Sequence, residues 1–326
     1  MRQKKGNVKR LAEEWIAVKK GEVKVTTVST YGYVLSHYIL PELGECAVEK
    51  LTPERTDEFV RRLREGKLEA RTINSVLSVL KMMLRYAEKN NYAMPKSCEI
   101  RSLRERGKQI SILSEEEQRR LELFLREDGD RSREGIRAGI ILSLYTGLRI
   151  GEVCALKWED IDFPGSLLYV KKTISRIKNT DEEDGKKTRI EIGRPKTDTS
   201  FRQIPLPAFL RAYLRRIRKA PDCFVLTGTK RFLEPRAYQY QYKKIMRELK
   251  LEDCNYHMLR HTFATRAIEA GFDVKSLSEI LGHANVNITL NRYAHPTMKM
   301  KLFNMEKLGD FYQGPSAGNA RKAVNN

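Results

Sequence analysis

The chain has 326 residues, and its 62 Lys and Arg against 42 Asp and Glu give a formal net charge of +20. That length accommodates two domains with separate cores. The charge favours a polyanionic partner, because each phosphate contact releases condensed counterions; the alternative is an unspecific basic surface, as on a ribosome-associated or membrane-peripheral protein. Cys46, Cys98, Cys154, Cys223 and Cys254 are odd in number and contain no C-x-x-C pair. This excludes a disulfide framework and a zinc knuckle, and points to reduced thiols in a cytoplasmic protein. Met1-Arg2-Gln3-Lys4-Lys5 leads into amphipathic Leu11-Ala12-Glu13-Glu14-Trp15 without an apolar signal region. No stretch approaches the ~18 apolar residues of a membrane span, so no membrane partner is expected.

In chain order, Val8, Leu11, Trp15 and Val18 make one helical stripe, and Val28, Tyr31, Leu35 and Tyr38 a second. Thr52-Pro53 offers an N-cap and an N1 proline for a helix that carries Phe59, Val60 and Leu63 and stops at Gly66. Ile73, Val76, Leu77, Leu80, Leu84 and Ala87 form a longer stripe ending near Asn90-Asn91. Four helices with short connections predict a small bundle over residues 1–94. Residues 95–111 are polar and basic, with Arg101, Arg104, Arg106 and Lys108, and read as an interdomain linker. Such a run is either a solvated connection or, with a nucleic-acid ligand, a strap suited to crossing its backbone.

A second domain, 112–312, opens at Ser114, which with Glu117 predicts a capping box ahead of Leu121, Phe124 and Leu125. Ile136, Ile140, Ile141 and Leu144 predict the next helix, interrupted by Gly147. Between Ser166 and Pro207 the period shifts towards strand: Leu168, Val170 and Thr173, then Ile190 and Ile192, then Phe201 and Ile204. Asp181-Glu182-Glu183-Asp184-Gly185 reads as a solvated hairpin tip between the first two strands. Helical patterns resume over Ala208 to Arg218 and continue to Lys307, and the tail 313–326 reads as disordered. The predicted fold is mainly α with a small antiparallel β-sheet, a helical N-terminal domain preceding an α+β domain.

His257-Met258-Leu259-Arg260-His261 is the most informative segment. On a helix His257, Arg260 and His261 share a face. Two histidines four apart invite a zinc reading, but Met258 stands where the metalloprotease pattern has Glu, and a guanidinium between them repels a divalent cation. A structural His/Arg face remains open beside an oxyanion site, which Arg suits through its bidentate fork. Three further segments narrow the choice by their joint order: Thr146-Gly147-Leu148-Arg149-Ile150-Gly151-Glu152, Pro195-Lys196-Thr197 at an expected strand turn, and Leu281-Gly282-His283 ten residues before Tyr293.

With these motifs the sequence resembles the tyrosine recombinase (phage integrase) family throughout the second domain. The resemblance extends more loosely to the first domain, which looks like the family's helical core-binding domain. Carried over residue by residue, it makes Arg149 the first catalytic arginine and Lys196 the β-hairpin lysine. His257 and Arg260 match the H-x-x-R pair, His283 the third-position histidine and Tyr293 the nucleophile. Glu152 and His261 also match family positions and are expected to support Arg149 and the helix face. Arg202 is added to the linker residues as a DNA-contact candidate.

Attack on a phosphodiester puts negative charge on the non-bridging oxygens, which Arg149 and Arg260 can clamp while His283 donates a hydrogen bond. A phenol of pKa about 10 needs either a base, for which His257 is the candidate, or cationic neighbours that lower its pKa. The resemblance implies Lys196 as the acid protonating the leaving 5′ oxygen. It also implies a 3′-phosphotyrosyl intermediate that needs no metal or cofactor, on double-stranded DNA recombination sites. The helix from Met298 to Met305 either packs on its own domain or, as the resemblance favours, docks on a neighbouring protomer in a tetramer on DNA. The acidic hairpin tilts the expectation towards the integrase of a mobile element or prophage. The alternatives are a chromosome-dimer-resolving recombinase, a type IB topoisomerase-like enzyme and a catalytically silent architectural DNA-binding protein. A separate N-terminal arm-binding domain is not evident, because Leu11 already begins the helical bundle: either the enzyme lacks one, or the sequence is part of a longer chain.

Overall fold

The computed structural model describes residues 3–97, 99–104, 110–126, 131–178, 188–193, 201–293 and 298–313. The chain divides into two units, Met1–Gln109 with Ile177–Arg189, and Ile110–Arg176 with Ile190–Asn326.

In the first unit, Asn7 caps α1 (Val8–Glu22) by accepting from the Arg10 N–H, and the helix buries Val8, Leu11, Ala12 and Trp15. Val18, expected on the same stripe, is exposed. α2 (Val25–Val34) runs through a π-helical stretch, Leu35–Ile39, into α3 (Leu40–Leu43). A π turn carries an extra residue and shifts the helical phase. The buried positions therefore become Val28, Val34, Leu35 and Ile39, and Tyr31 and Tyr38 stay only half-buried. α4 (Pro53–Glu65) begins at the N1 proline and stops at Gly66, and α5 (Ala70–Lys89) buries the six predicted residues of its stripe. Asn74 of α5 then grips the segment that follows, its amide oxygen accepting from the Leu103 N–H at 2.8 Å and its NH2 donating to the Leu103 carbonyl at 3.0 Å. Arg101 and Arg104 are thus held exposed beside α5, with Arg101 paired to Glu99 at 3.1 Å. Arg106 and Lys108 lie outside the described residues.

The second unit begins with the predicted capping box. The Ser114 N–H donates to Glu117 Oε2 at 2.8 Å, and the Glu117 N–H to Ser114 Oγ at 3.2 Å, opening α6 (Glu115–Arg126). α7 (Glu134–Thr146) and α8 (Ile150–Ala155) follow. β1 (Ile161–Asp162), β2 (Leu167–Val170) and β5 (Arg202–Pro205) form an antiparallel sheet in the order β1-β2-β5. β3 (Thr173–Lys178) pairs separately with β4 (Thr188–Gly193). The expected single strand through Leu168, Val170 and Thr173 is therefore two, belonging to different sheets. The expected hairpin tip Asp181–Gly185 lies outside the described residues.

The remaining helices are α9 (Ala208–Ile217), α10 (Pro235–Glu248), α11 (Tyr256–Glu269), α12 (Val274–Leu281), α13 (Val286–Tyr293) and α14 (Met298–Gln313). The fold is mainly helical with a small antiparallel sheet, as predicted. Of the expected tail only Gln313, which ends α14, is described. Among the described residues no helix is long and apolar enough to cross a membrane.

Gly147 ends α7 in the left-handed region at φ 67°, and a Cβ there would lie 2.7 Å from side-chain atoms of Leu281 and Phe263. Gly147→Ala should therefore destabilise the protein by about 1–3 kcal/mol through strain and overpacking. The check is a lower urea midpoint at unchanged slope.

Candidate active site

The turn at Gly147 delivers Arg149 to the N-cap of α8, where Glu152 completes a capping box. The Arg149 N–H donates to Glu152 Oε2 at 2.9 Å, and its Nη1 to Oε1 at 2.9 Å. Strand alternation turns Arg202 inward with Ile204, since residues two apart share a face. Its Nη1 and Nη2 reach Glu152 at 3.0 and 2.9 Å. α11 supplies Arg260 and His261. α12 stops at Gly282 in the left-handed region at φ 64°, which sets His283 just beyond the helix end, and α13 ends on Tyr293.

Three arginines converge on three consecutive carbonyls at the end of α12. Arg202 Nε donates to Ile280 O at 2.6 Å, Arg260 Nη2 to Leu281 O at 2.7 Å, and Arg149 Nη2 to Gly282 O at 3.2 Å. Arg260 Nη1 also donates to Gly147 O, the end of α7, at 2.6 Å. Terminal helix carbonyls lack intrahelical partners and carry the negative end of the helix dipole, so they hold guanidinium groups in place without a bound anion. Gly282 is constrained here too, because a Cβ would lie 3.0 Å from Arg202 side-chain atoms.

The charges are strongly unbalanced. Burial pushes the Glu152 carboxyl up, but Arg202 and Arg149 outweigh it and hold the pKa at about 2. Burial, then Arg149, lowers Arg260 to about 9, which leaves it charged at neutral pH. Burial, followed by Arg260, Arg149, Arg292 and Arg202, lowers His283 to about 3. His257 is open to solvent on one side and crowded on the other; the crowding, then Arg260, Arg292 and Arg149, lowers it to about 4.

His283 Nε2 lies 2.9 Å from Arg260 Nη2, and Nδ1 lies 2.7 Å from Oγ1 of the buried Thr289. Arginine only donates, so this pattern assigns a lone pair to Nε2 and the proton to Nδ1. In this arrangement Nε2 of His283 donates only after the ring takes up a proton. The Tyr293 hydroxyl, in turn, lies 2.6 Å from His261 Nδ1. His257, the candidate base from the sequence, packs edge-on against His261, ring centroids 4.5 Å apart.

The structure therefore gathers Arg149, Arg260, His283, Tyr293, Glu152, His261 and Arg202 into one site. Arg202 needs the largest correction. It was expected to contact DNA, but its guanidinium is buried and committed to Glu152 and the Ile280 carbonyl. Lys196 lies outside the described residues. Sequence reasoning missed Thr289 and the α12 carbonyls; the available signal was Gly282, the glycine expected where a helix stops.

Guanidinium groups and imidazoles around one tyrosine hydroxyl make a positively charged cluster suited to an anion. Comparison with known families matches residues 112–300 to the phage integrase family and residues 7–64 to the phage integrase N-terminal SAM-like domain. The chain belongs to the phage integrase family, the tyrosine-type site-specific DNA recombinases. It is 27% identical to a XerC-like tyrosine recombinase of Caldanaerobacter subterraneus subsp. tengcongensis, over 93% of this chain and 82% of that protein. It is 28% identical to the transposase of Tn916 from Enterococcus faecalis, over 88% of this chain and 74% of that protein. Among solved structures, the integrase of transposon Tn1549 in complex with a circular intermediate DNA superposes with a TM-score of 0.75 at 25% identity, over 93% of this chain and 99% of that one.

Arg202→Ala leaves Glu152 buried beside a missing partner and should destabilise the protein by about 3–5 kcal/mol. If Arg202 contacted DNA instead, the charge-removing Arg202→Gln would reduce the salt slope of DNA binding by about one phosphate contact; the buried pair predicts an unchanged slope in filter binding.

The histidines set an acid limit. Each of His257, His261 and His283 has a folded pKa of about 4 or 3 against an ordinary 6.5, so the unfolded chain binds more protons between those values. Stability should fall as pH drops from 6.5 towards 4. Glu152 adds a second loss between 4.5 and about 2, because its stabilisation requires the carboxylate. Denaturant midpoints across pH should show the first limb flattened when the three histidines are replaced by Gln.

Proposed function

We propose that the chain is the integrase of a mobile element or prophage, cutting and rejoining double-stranded DNA through a 3′-phosphotyrosyl intermediate on Tyr293. The observation that carries this reading is the Tyr293 hydroxyl held in one cluster with His261, Arg260, His283 and Arg149. Arg149 and Arg260 clamp the non-bridging oxygens of the scissile phosphate. Each guanidinium has five N–H donors, so those bound to carbonyls leave others for the phosphate. Glu152 and Arg202 hold Arg149 in place. Lys196, on the segment between β4 and β5, protonates the leaving 5′ oxygen. The covalent intermediate keeps the phosphodiester linkage energy, so a 5′-OH from a second DNA reverses the step without a cofactor.

The relatives named as a transposase and as a transposon integrase support the mobile-element assignment. In this reading residues 1–94 bind the core of the recombination site, 95–111 cross the backbone, and 112–312 catalyse, all in the cytoplasm. Arg101, Arg104, Arg106 and Lys108 supply phosphate contacts from the linker. Met298, Leu302, Met305 and Leu308 recur three or four residues apart on α14 and are exposed, which supports docking of this helix on a neighbouring protomer within a tetramer on DNA.

A nicked substrate that traps the intermediate tests the assignment. Tyr293→Phe should abolish the covalent adduct while leaving specific DNA binding within about twofold of wild type, since only one hydroxyl is removed. An adduct surviving that change overturns the nucleophile. With two sites present, strand exchange supports an integrase, and supercoil relaxation without exchange supports a topoisomerase.

A further inference from the structure

Forming a bond between Tyr293 Oη and phosphorus releases the phenolic proton, and a phenol of ordinary pKa about 10 keeps that proton at neutral pH. Here burial raises the Tyr293 pKa further, against the opposing pull of Arg260, Arg292 and Arg149. The nucleophile therefore depends on an acceptor in contact with it. Nδ1 of His261 is 2.6 Å from Oη, a hydrogen-bond distance at which a proton passes without movement of either ring. With Tyr293 as the donor of that pair, His261 carries its own proton on Nε2 and presents a lone pair to the hydroxyl.

His261 is held there from two sides. It belongs to α11, whose next-door Arg260 is fixed to the Gly147 and Leu281 carbonyls, and the His257 ring packs edge-on against it at 84°. We propose that His261 is the catalytic proton acceptor for Tyr293, with His257 acting through it as a positioning residue. The proposal rests on the reading of Tyr293 as nucleophile. As the Oη–P bond forms and the P–O5′ bond breaks, the phenolic proton passes to His261 Nδ1, giving an imidazolium. The 5′ oxygen takes its proton from Lys196. In the return step the attacking 5′-OH gives its proton to Lys196, the Oη–P bond breaks, and the imidazolium reprotonates Oη.

The electrostatics fit this cycle. Without DNA, burial and then His257, Arg292 and Arg260 lower His261 to about 4, which keeps it neutral with its lone pair free. A bound phosphate compensates those guanidinium charges and restores basicity to the ring when the proton must be taken.

The experiment measures the rate of covalent adduct formation on the nicked trapping substrate by the full chain, alongside specific DNA binding. His261→Ala should slow the adduct by ~10²–10⁴-fold with binding retained. His261→Gln should be slowed as much, because a carboxamide hydrogen-bonds but accepts no proton. The same variants are then made with 3,5-difluorotyrosine at position 293, a phenol acidic enough to ionise near neutral pH. The His261 defect should shrink at least tenfold in that background. An equal defect in both backgrounds, or a Gln variant at wild-type rate, overturns proton acceptance by His261. Absence of an adduct with the wild-type chain overturns the nucleophile assignment itself.

Discussion

Three consecutive carbonyls at the end of α12 are the constraint on which this site depends. Arg202, Arg260 and Arg149 each spend one donor on Ile280, Leu281 or Gly282. Three guanidinium groups cannot share a small volume by mutual attraction, and only one carboxylate, Glu152, lies within their hydrogen-bonding reach among the described residues. The helix end supplies the remaining compensation with dipoles in place of charges. Dipoles orient the cations yet leave most of their charge uncancelled, so the site stays attractive to an anion.

The same arrangement explains why the histidines are neutral. Burial and the surrounding arginines push His283 and His261 well below the ordinary imidazole range. Neutral rings have lone pairs: Nε2 of His283 accepts from Arg260, and Nδ1 of His261 lies 2.6 Å from the Tyr293 hydroxyl. Thr289 settles the His283 tautomer by accepting at Nδ1. The hydrogen-bond network is thus complete before DNA arrives, and each polar group that meets the phosphate already has a defined direction.

What the sequence conveyed follows the range of each physical signal. The Ser114–Glu117 capping box and the α5 stripe are local, decided by residues three or four apart, and the fold reproduces both. Phase is harder: the π-helical turn at Leu35–Ile39 exchanges Tyr38 for Ile39 in the core, and no residue there announces an extra one. The strand around Arg202 carried a readable clue. Phe201 and Ile204 are three apart and cannot share a face, and Ile204 faces inward, which puts Arg202 inside and leaves Phe201 exposed. The choice between His257 and His261 was not readable at all. They sit one turn apart on one face, and which of them meets Tyr293 is fixed by where α13 lies against α11.

Arg202 and Arg260 show two ways of stabilising a buried cation. Arg202 is paired with the buried Glu152 carboxylate, which it shares with Arg149. Arg260 is as deeply buried but among the described residues hydrogen-bonds only with carbonyls and a neutral imidazole, and burial, then Arg149, lowers its pKa to about 9. A buried guanidinium without a carboxylate is incomplete, since desolvation is offset fully only by an opposite charge. A phosphate entering beside Tyr293 would supply that charge. It would relieve Arg260 and His283 together, and its attraction would grow as the transition state adds negative charge to the same oxygens. The residue that tolerates burial least well without a ligand is thus the one best placed to favour the transition state over the ground state.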